Sequence, residues 1–167
     1  WYNAYNTVVF LSSDSITSVY HKTKLVPGVE QIPYSFILDL IADFTVDLGG
    51  TSGSLSTDNN VDLLHYNEIK ILPLICYESI FGDMITGRNS NVIAVITNDG
   101  WWKNSSGYKQ HFQYARLRAI EQRKSIIRSA NTGISGLISP HGDVISQTQW
   151  DEEIALNVKV SLNETVT

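Results

Sequence analysis

Two short apolar runs near the middle of the chain constrain its fold more than any other feature. The segments "EIKILPLICYE" and "NVIAVITNDG" are rich in Val, Ile and Leu, and each ends in polar residues. Short continuous apolar runs are typical of interior strands in a sheet whose faces are covered by helices. Both runs also deliver polar groups at their carboxyl ends. The sequence therefore predicts an α/β domain with a largely buried sheet, and a site where these strands end.

The flanking segments extend this prediction. "NTVVFLSSD" and "SITSVYHKTKL" are separated by a Ser/Asp turn, which predicts a hairpin. "IPYSFILDLIADF" has helical apolar spacing after Pro33, which predicts a core-packing helix. The alternative is a segment that covers a substrate or contacts a membrane surface. "DLGGTSGSLSTDNN" predicts a mobile loop. "SIIRSANTG", "ISGLISP", "HGDVISQ" and "EIALNVKV" predict short final strands. "GYKQHFQYARLRAIEQRK" predicts a surface helix whose buried face carries Phe112, Ala115, Ala119 and Ile120.

Composition and charge exclude several classes of protein. A chain of 167 residues, 43% hydrophobic, can bury one substantial core, so we expect one domain over 1–167. A net charge of −5 with scattered Lys and Arg predicts no nucleic-acid partner. The longest apolar stretches fall far below the roughly 18 residues that span a bilayer. No metal site or cofactor is expected, because the four histidines are far apart in sequence and form no ligand motif: His21, His65, His111 and His141.

The single cysteine, Cys76, stands at the end of the first apolar run. A free cysteine is usually a small buried hydrophobe, but it can also be a nucleophile presented at the end of a strand. Glu78 is two residues further on, and in a strand it would point to the same side as Cys76. Lys22 and Lys24 occupy the end of an earlier strand in "YHKTKL". Cysteine, glutamate and lysine together are the residue types that an amide- or ester-cleaving thiol site requires.

Four ordered blocks of sequence indicate a family. "YHKTKLVPGVEQIP", "ICYESIFGD", "ITNDGWW" and "QHFQYARLRAIEQRKSIIRSANTGISGLISPHGDV" resemble the nitrilase-type domain of bacterial apolipoprotein N-acyltransferases, from about Tyr2 to Val160. The "LVP" after the lysine, "NDGWW" and "SANTGIS" favour this branch over soluble nitrilase-like amidases. The resemblance implies a nitrilase-type α-β-β-α sandwich, incomplete at its N-terminus, in which residues 1–167 are part of the catalytic domain and the membrane-spanning segments of the parent protein are absent.

The resemblance also assigns roles to individual residues. Lys22 and Cys76 match two members of the family's Glu-Lys-Cys triad, and the third, a base glutamate, is expected upstream of the first residue. Glu30 matches an additional glutamate, although Gly28-Val29 stands where the family usually has Phe-Gly. Glu78 matches the glutamate that follows the nucleophile, and both carboxylates are expected to orient Lys22. Lys22 and the backbone N–H of Tyr77 are expected to stabilise the oxyanion. Lys24 stands where a histidine is frequent and is secondary.

The implied reaction is the transfer of an acyl chain from a phospholipid, through a thioester on Cys76, to the N-terminal amine of a diacylglyceryl-modified lipoprotein. The expected location is the bacterial inner membrane, with the domain facing the periplasm, and the piece alone is expected to be inactive.

Trp101, Trp102 and Asn98 are candidate substrate-binding residues, with packing and turn capping as their alternatives. A soluble amidase that hydrolyses a small C–N bond and a non-catalytic lipid- or partner-binding domain remain alternatives. Surface ion pairs are expected on one helix among Arg116, Arg118, Glu121 and Arg123.

Overall fold

The structure, a computed structural model, describes residues 3–11, 15–31 and 55–164. The helix predicted over "IPYSFILDLIADF" and the first part of the Gly/Ser-rich loop lie outside these ranges. The end of that loop, residues 55–60, has no helix or strand.

The predicted N-terminal hairpin is confirmed. Strands β1 (Thr7–Leu11) and β2 (Ile16–His21) pair in antiparallel register, with Val8 opposite Tyr20. One face of the hairpin is more buried than the other, as expected for a strand pair with one face on the core. The ladder continues one step past β2, because the backbone N–H of Lys22 donates to the carbonyl of Asn6 at 2.8 Å. The hairpin thus leads the chain directly into the segment that carries Lys22.

A six-stranded sheet forms the centre of the fold, in the order β3-β4-β5-β6-β7-β8. The central strands β4, β5 and β6 run parallel to one another, and the outer neighbours are antiparallel. The two apolar runs are therefore adjacent parallel strands that end at one edge, as predicted. The strands of this sheet are β3 Leu64–Tyr66, β4 Ile69–Ile75, β5 Val92–Thr97, β6 Ile126–Ala130, β7 Gly136–Ile138 and β8 Val144–Gln147.

The predicted surface helix, α1 (Ser106–Gln122), covers one face of this sheet. The side chain of Ser105 accepts from the N–H of Gly107, which caps the helix N-terminus, and Arg123 ends the helix in a left-handed conformation at φ 51°. The core of the domain lies between helix and sheet. It consists mainly of Leu72, Leu74, Ile93, Val95, Phe112, Ala115, Ala119, Ile126 and Ile138.

The orientation of α1 differs from the prediction at two positions. Ile120 was expected on the buried face but is 51% exposed, whereas Arg118 is buried. Consecutive helical residues are about 100° apart, and the buried stripe follows positions 108, 112, 115, 119 and 122, which leaves position 120 outside it. Among the four residues expected to form ion pairs, Arg118 pairs with Glu121 at 2.8 Å. Arg116 instead donates to the carbonyl of Gly142 and to the side chain of Gln113.

The prediction of a final strand over "EIALNVKV" is wrong. Residues 152–164 have no regular secondary structure, and within the described residues no strand pairs with this segment. The alternating pattern records β-propensity, but a strand requires a hydrogen-bonded neighbour. In the described ranges, no helix is both long and apolar enough to cross a membrane.

Candidate active site

Cys76 begins a sharp turn at the carboxyl end of β4. The strand ends at Ile75, and Cys76–Ile80 forms a 3-10 helix. Cys76 has a φ of 50°, a left-handed conformation that costs a non-glycine residue roughly 1–2 kcal/mol. Strained backbone of this kind is often found where a side chain must be aimed at a substrate. The prediction that Cys76 and Glu78 project from one face of a strand is wrong, because the chain leaves the strand at Cys76.

A cavity of about 440 Å³ opens in front of this turn, and the half-buried thiol of Cys76 lies in its wall. Its wall is mostly apolar and aromatic. It is lined by Val26, Val29, Glu30, Cys76, Tyr77, Ile80, Trp101, Trp102, Gly107, Gln110, His111 and Tyr114. The structure therefore places three of the predicted catalytic residues, Glu30, Cys76 and Tyr77, around one space.

Lys22 is not among the residues that line the cavity, but it contacts Glu30, which is. Its side chain is almost wholly buried, and its Nζ donates to both oxygens of Glu30, at 2.8 Å and 2.7 Å. Glu30 also accepts from the side chain of Asn6 and from the backbone N–H of Val26. A buried ammonium is stable only when it is paired. The pair thus fixes a positive charge beside the wall that holds Cys76.

Glu78 occupies a different environment. It is 0% exposed and accepts hydrogen bonds from the hydroxyl of Tyr20 at 2.8 Å, from Thr23 and from the backbone of Lys24. Its other oxygen accepts from the N–H of Ile75 at 2.7 Å. In the described part of the chain, none of the hydrogen bonds to Glu78 comes from Lys22, so the expected contact between these two side chains is not made. Glu78 instead ties the chain after β2 to the turn at Cys76.

Tyr20 and Lys24 complete the surroundings of Glu78. Burial, followed by the negative charge of Glu78, raises the pKa of Tyr20 well above its ordinary value, so its hydroxyl stays a donor. Lys24, the secondary lysine, points away, and its Nζ pairs with Asp83 at 2.6 Å and lies 4.3 Å from the ring centre of Phe81. This hydrogen bond lowers the pKa of Asp83.

A buried network that the sequence analysis missed lies under the same turn. His111 of α1 places Nε2 2.9 Å from Ser79 Oγ and 3.2 Å from the carbonyl oxygen of Cys76. Its Nδ1 is 3.0 Å from Asp99 Oδ1, and Arg128 donates to Asp99 Oδ2 at 2.8 Å. Burial alone would raise the pKa of Asp99, but the His111 hydrogen bond and the Arg128 charge outweigh it and hold this pKa below its usual value.

A signal for this network was present in the sequence. His111 is four positions before Ala115 and therefore shares the buried face of α1. The spacing of the four histidines tests them only as metal ligands, so it does not indicate that His111 supports the turn at Cys76.

The predicted substrate-binding residues divide into two groups. Trp101 and Trp102 line the cavity and are each nearly half exposed. A Cβ atom at Gly107 would lie 2.3 Å from the Trp102 ring, so the indole packs directly on the first turn of α1. Asn98 lies outside the cavity lining. Its Oδ1 accepts from the N–H of Gly100 at 3.0 Å and from Asn131 at 2.7 Å, which is the turn-capping alternative.

Comparison with known proteins gives named relatives. The chain is 42% identical to an apolipoprotein N-acyltransferase of Rhodopseudomonas palustris over 149 residues, which cover 86% of this chain and 27% of that protein. It is 37% identical to that of Rhizobium rhizogenes, with 89% and 28% covered, and 34% identical to that of Aquifex aeolicus, with 89% and 33% covered. The chain thus spans about a third or less of these relatives.

Solved structures share the fold at low identity. The carbon-nitrogen hydrolase from Helicobacter pylori matches with a TM-score of 0.64 at 14% identity, covering 89% of this chain and 54% of that one. Nit3 of Saccharomyces cerevisiae, of the nitrilase superfamily, matches with a TM-score of 0.60 at 18% identity, covering 89% and 51%. These likenesses confirm the predicted nitrilase-type α/β fold. The family model for carbon-nitrogen hydrolases matches residues 2–166, and the chain therefore belongs to the carbon-nitrogen hydrolase family.

Proposed function

We propose that the full-length protein carrying this chain is an apolipoprotein N-acyltransferase, and that residues 1–167 are part of its catalytic domain. The observation that carries the proposal is the turn that presents Cys76 at positive φ to a mostly apolar cavity, flanked by the Lys22–Glu30 ion pair. The name of its relatives supports an acyltransferase over a small-amide hydrolase. The acyl donor is a phospholipid, and the acceptor is the free amine of a lipid-modified lipoprotein N-terminus. We place the enzyme at the bacterial inner membrane, with this domain on the periplasmic side.

The first half-reaction forms a thioester. Cys76 Sγ loses its proton to the family's base glutamate, which has no match in residues 1–167 and which we assign to another part of the full-length protein. The sulfur attacks the ester carbonyl of the phospholipid, and a C–S bond forms. The tetrahedral intermediate collapses as the ester C–O bond breaks, and the lysophospholipid leaves with a proton. In the second half-reaction the lipoprotein amine attacks the thioester and gives a proton to the base glutamate. An amide forms as the C–S bond breaks, and the thiolate of Cys76 takes the proton back from that glutamate.

Lys22 and the N–H of Tyr77 are the proposed oxyanion donors. An ammonium has three N–H groups, and in the described residues Glu30 accepts two of them, so one remains for a substrate oxygen. Glu30 holds the ammonium in place and balances its charge while it is buried. A fixed donor of this kind stabilises the transition state because no reorganisation is needed when charge develops.

The acyl chain is the part of the substrate that the cavity wall fits best. Val26, Val29, Ile80, Trp101 and Trp102 offer apolar and aromatic surface within reach of Cys76. Burying a methylene group gains about 0.8 kcal/mol, so a long chain supplies ample binding energy. Asn98 is not part of this wall, and we give it no role in binding the acyl chain.

The direct test is mass spectrometry of the full-length protein incubated with phospholipid. The expected result is an acyl adduct on Cys76 that is absent in Cys76→Ala, strongly reduced in Lys22→Ala, and released by an added lipoprotein peptide amine. An unmodified Cys76 in a preparation that acylates lipoprotein would overturn the proposal. Hydrolysis of small amides with no acyl adduct from phospholipid would instead favour the soluble amidase.

A further inference from the structure

The network of His111, Asp99 and Arg128 has no part in the proposed reaction, yet it contacts the nucleophile's own backbone. The carbonyl oxygen of Cys76 accepts from Ser79 Oγ at 2.8 Å and lies 3.2 Å from His111 Nε2. All three network side chains are buried. Burying an ion-paired cluster costs desolvation free energy, and a hydrogen-bonded cluster of this kind holds its side chains in one geometry.

The hydrogen-bond partners decide which ring nitrogen carries a hydrogen. A hydroxyl has one hydrogen, and Ser79 gives it to the Cys76 carbonyl, so Ser79 Oγ can only accept from the ring. The carbonyl oxygen of Cys76 is an acceptor only. His111 Nε2 therefore faces two acceptors and is the donor to both, while Nδ1 lies 3.0 Å from the acceptor Asp99 Oδ1 and 3.1 Å from the donor Arg128 Nη2. The Cys76 carbonyl is thus held by two donors on one side of its peptide.

The opposite side of the ring is fixed by Asp99. The carboxylate oxygens of Asp99 are held by Arg128 at 2.8 Å and by Thr97 Oγ1 at 3.1 Å, and Oδ1 lies 3.0 Å from His111 Nδ1. A Cβ atom at Gly133 would lie 2.0 Å from Asp99 Oδ2, so the turn at Gly133 closes directly on the carboxylate. These contacts hold the Asp99 carboxylate, and its contact with Nδ1 orients the imidazole so that Nε2 points to the Cys76 carbonyl.

The consequence concerns the next residue. The carbonyl of Cys76 and the N–H of Tyr77 belong to one peptide group, and no peptide in the described chain is cis. In a trans peptide these two groups point in opposite directions, so fixing the carbonyl fixes the N–H. A hydrogen bond to the carbonyl also polarises the N–H of the same group. Without the hydrogen bonds from Ser79 and His111 to the Cys76 carbonyl, the left-handed turn at Cys76 would be less stable.

We infer that His111 is a positioning residue, which holds the Cys76–Tyr77 peptide so that the N–H of Tyr77 faces the oxyanion of the acyl group. The inference rests on the proposed function, because it assigns a purpose to the N–H that the acylation step uses. It predicts that His111 affects acylation of Cys76 far more than it affects the reactivity of the thiol itself.

Two substitutions separate the functions of the two ring nitrogens. In His111→Gln the amide nitrogen takes the place of Nε2, so the donor to the Cys76 carbonyl is retained. In His111→Asn the amide nitrogen takes the place of Nδ1, so the contact with Asp99 is retained and the donor to the carbonyl is lost. Both variants lose the imidazole, and each serves as the control for the other.

The experiment compares two reactions of Cys76 in the full-length protein. Iodoacetamide alkylates the thiolate by displacing iodide, without an oxyanion, whereas the p-nitrophenyl ester of a fatty acid acylates it through an oxyanion and releases p-nitrophenolate. In His111→Asn we expect kcat for acylation to fall about 10- to 100-fold with little change in KM, the range expected for a weakened oxyanion donor. Alkylation should change less than about threefold, and His111→Gln should recover most of the acylation rate, since it keeps the donor.

Several outcomes would overturn the inference. Equal losses of alkylation and acylation in His111→Asn would mean that the residue only supports the fold. An equally large loss of acylation in His111→Gln, or a wild-type protein that is alkylated but not acylated by the nitrophenyl ester, would do the same. Acylation by the nitrophenyl ester but not by phospholipid would contradict the proposed donor and leave the inference standing. If both variants unfold, Ser79→Ala provides the test, because it removes the other donor to the Cys76 carbonyl. It should lower the acylation rate more than the alkylation rate, by a smaller factor than expected for His111→Asn. Equal losses of the two rates in Ser79→Ala would refute the inference.

Discussion

Two carboxylates flank the turn at Cys76, and the structure surrounds them in opposite ways. Glu30 is 15% exposed, lines the cavity and holds an ammonium with both oxygens. Glu78 is 0% exposed, and in the described residues its hydrogen bonds come from hydroxyl and backbone N–H groups. The first carboxylate pairs with a charge beside the cavity. The second connects two parts of the backbone.

The two environments separate a carboxylate that faces the cavity from one that stabilises the fold. A buried carboxylate that accepts several N–H and O–H bonds is stable without a cation, because these donors replace water. Glu78 uses such bonds to join Tyr20 and Thr23 to the end of β4 at Ile75. This connection holds the residues on either side of Lys22 against the turn that begins at Cys76. Glu30 then pairs with the ammonium of Lys22, in a segment whose position Glu78 stabilises.

The largest effect is expected from removing the ammonium that distinguishes Glu30 from Glu78. In Lys22→Ala the acylation rate of Cys76 should fall on the order of 100- to 1000-fold, as for other oxyanion donors. Single-turnover acylation of the full-length protein, followed by mass spectrometry, measures this rate. A variant that retains acylation would show that Glu30 holds the lysine only for stability.

The next largest effect should separate the two carboxylates by stability. Glu78→Gln replaces one carboxylate oxygen by an NH2 group that faces buried donors, so the free energy of unfolding should fall by about 2–4 kcal/mol. Glu30→Gln also destabilises the fold by several kcal/mol, because it leaves the buried ammonium of Lys22 without its counter-charge. Adding Lys22→Met should therefore restore stability in Glu30→Gln but not in Glu78→Gln, because in the described residues Lys22 bonds to Glu30 and not to Glu78. Urea unfolding of the two double variants tests this difference, and an equal recovery in both would contradict the structural role assigned to Glu78.

A smaller effect concerns Tyr20, which donates only to the structural carboxylate. Tyr20→Phe should lower the unfolding free energy by about 1 kcal/mol at neutral pH. Burial, with the charge of Glu78, raises the pKa of Tyr20 above its ordinary value of 10.0, so the stabilisation is fully present below pH 10 and is lost as the pH rises further. Unfolding between pH 9 and about 11.5, just above the ordinary tyrosine pKa, should therefore show a decline in the wild type that the variant lacks. Identical pH profiles would rule out this contribution.

The smallest effect is expected at Lys24, the matched control for Lys22. Lys24 pairs with an exposed carboxylate, Asp83, and such surface pairs contribute about 0–1 kcal/mol. Lys24→Ala should leave acylation nearly unchanged and return the lowered pKa of Asp83 toward its ordinary value, which NMR titration of the carboxyl measures. A loss of acylation as large as that of Lys22→Ala would mean that the two lysines are not functionally distinct.

The sequence predicted the strands and the helix around the site better than it predicted the contacts of the two carboxylates. The parallel runs, the hairpin and the main helix followed from periodicity, and resemblance selected Lys22, Glu30 and Cys76. The position of Glu78 was wrong because strand alternation was extended beyond Ile75, where the chain enters a 3-10 helix. Strand periodicity cannot report a left-handed residue at Cys76, since only glycine usually marks one in sequence.

The buried polar network was missed for a different physical reason. His111, Asp99 and Arg128 are far apart in sequence and meet only when α1 packs on the ends of β5 and β6. Such long-range hydrogen bonds leave no local period. The final segment failed similarly, because "EIALNVKV" has the composition of a strand, but its pairing depends on a neighbour that composition does not specify.

The parallel register of the central sheet has a consequence for how the chain tolerates changes in length. Ile75 is opposite Ile96 and Thr97 is opposite Ala130, so β4, β5 and β6 end within one residue of one another. Deleting a single residue inside any of these strands would shift its terminal side chains by one pleat and turn them to the other face. Insertions and deletions are therefore restricted to the connections between strands, where added length leaves the alignment of the three ends intact.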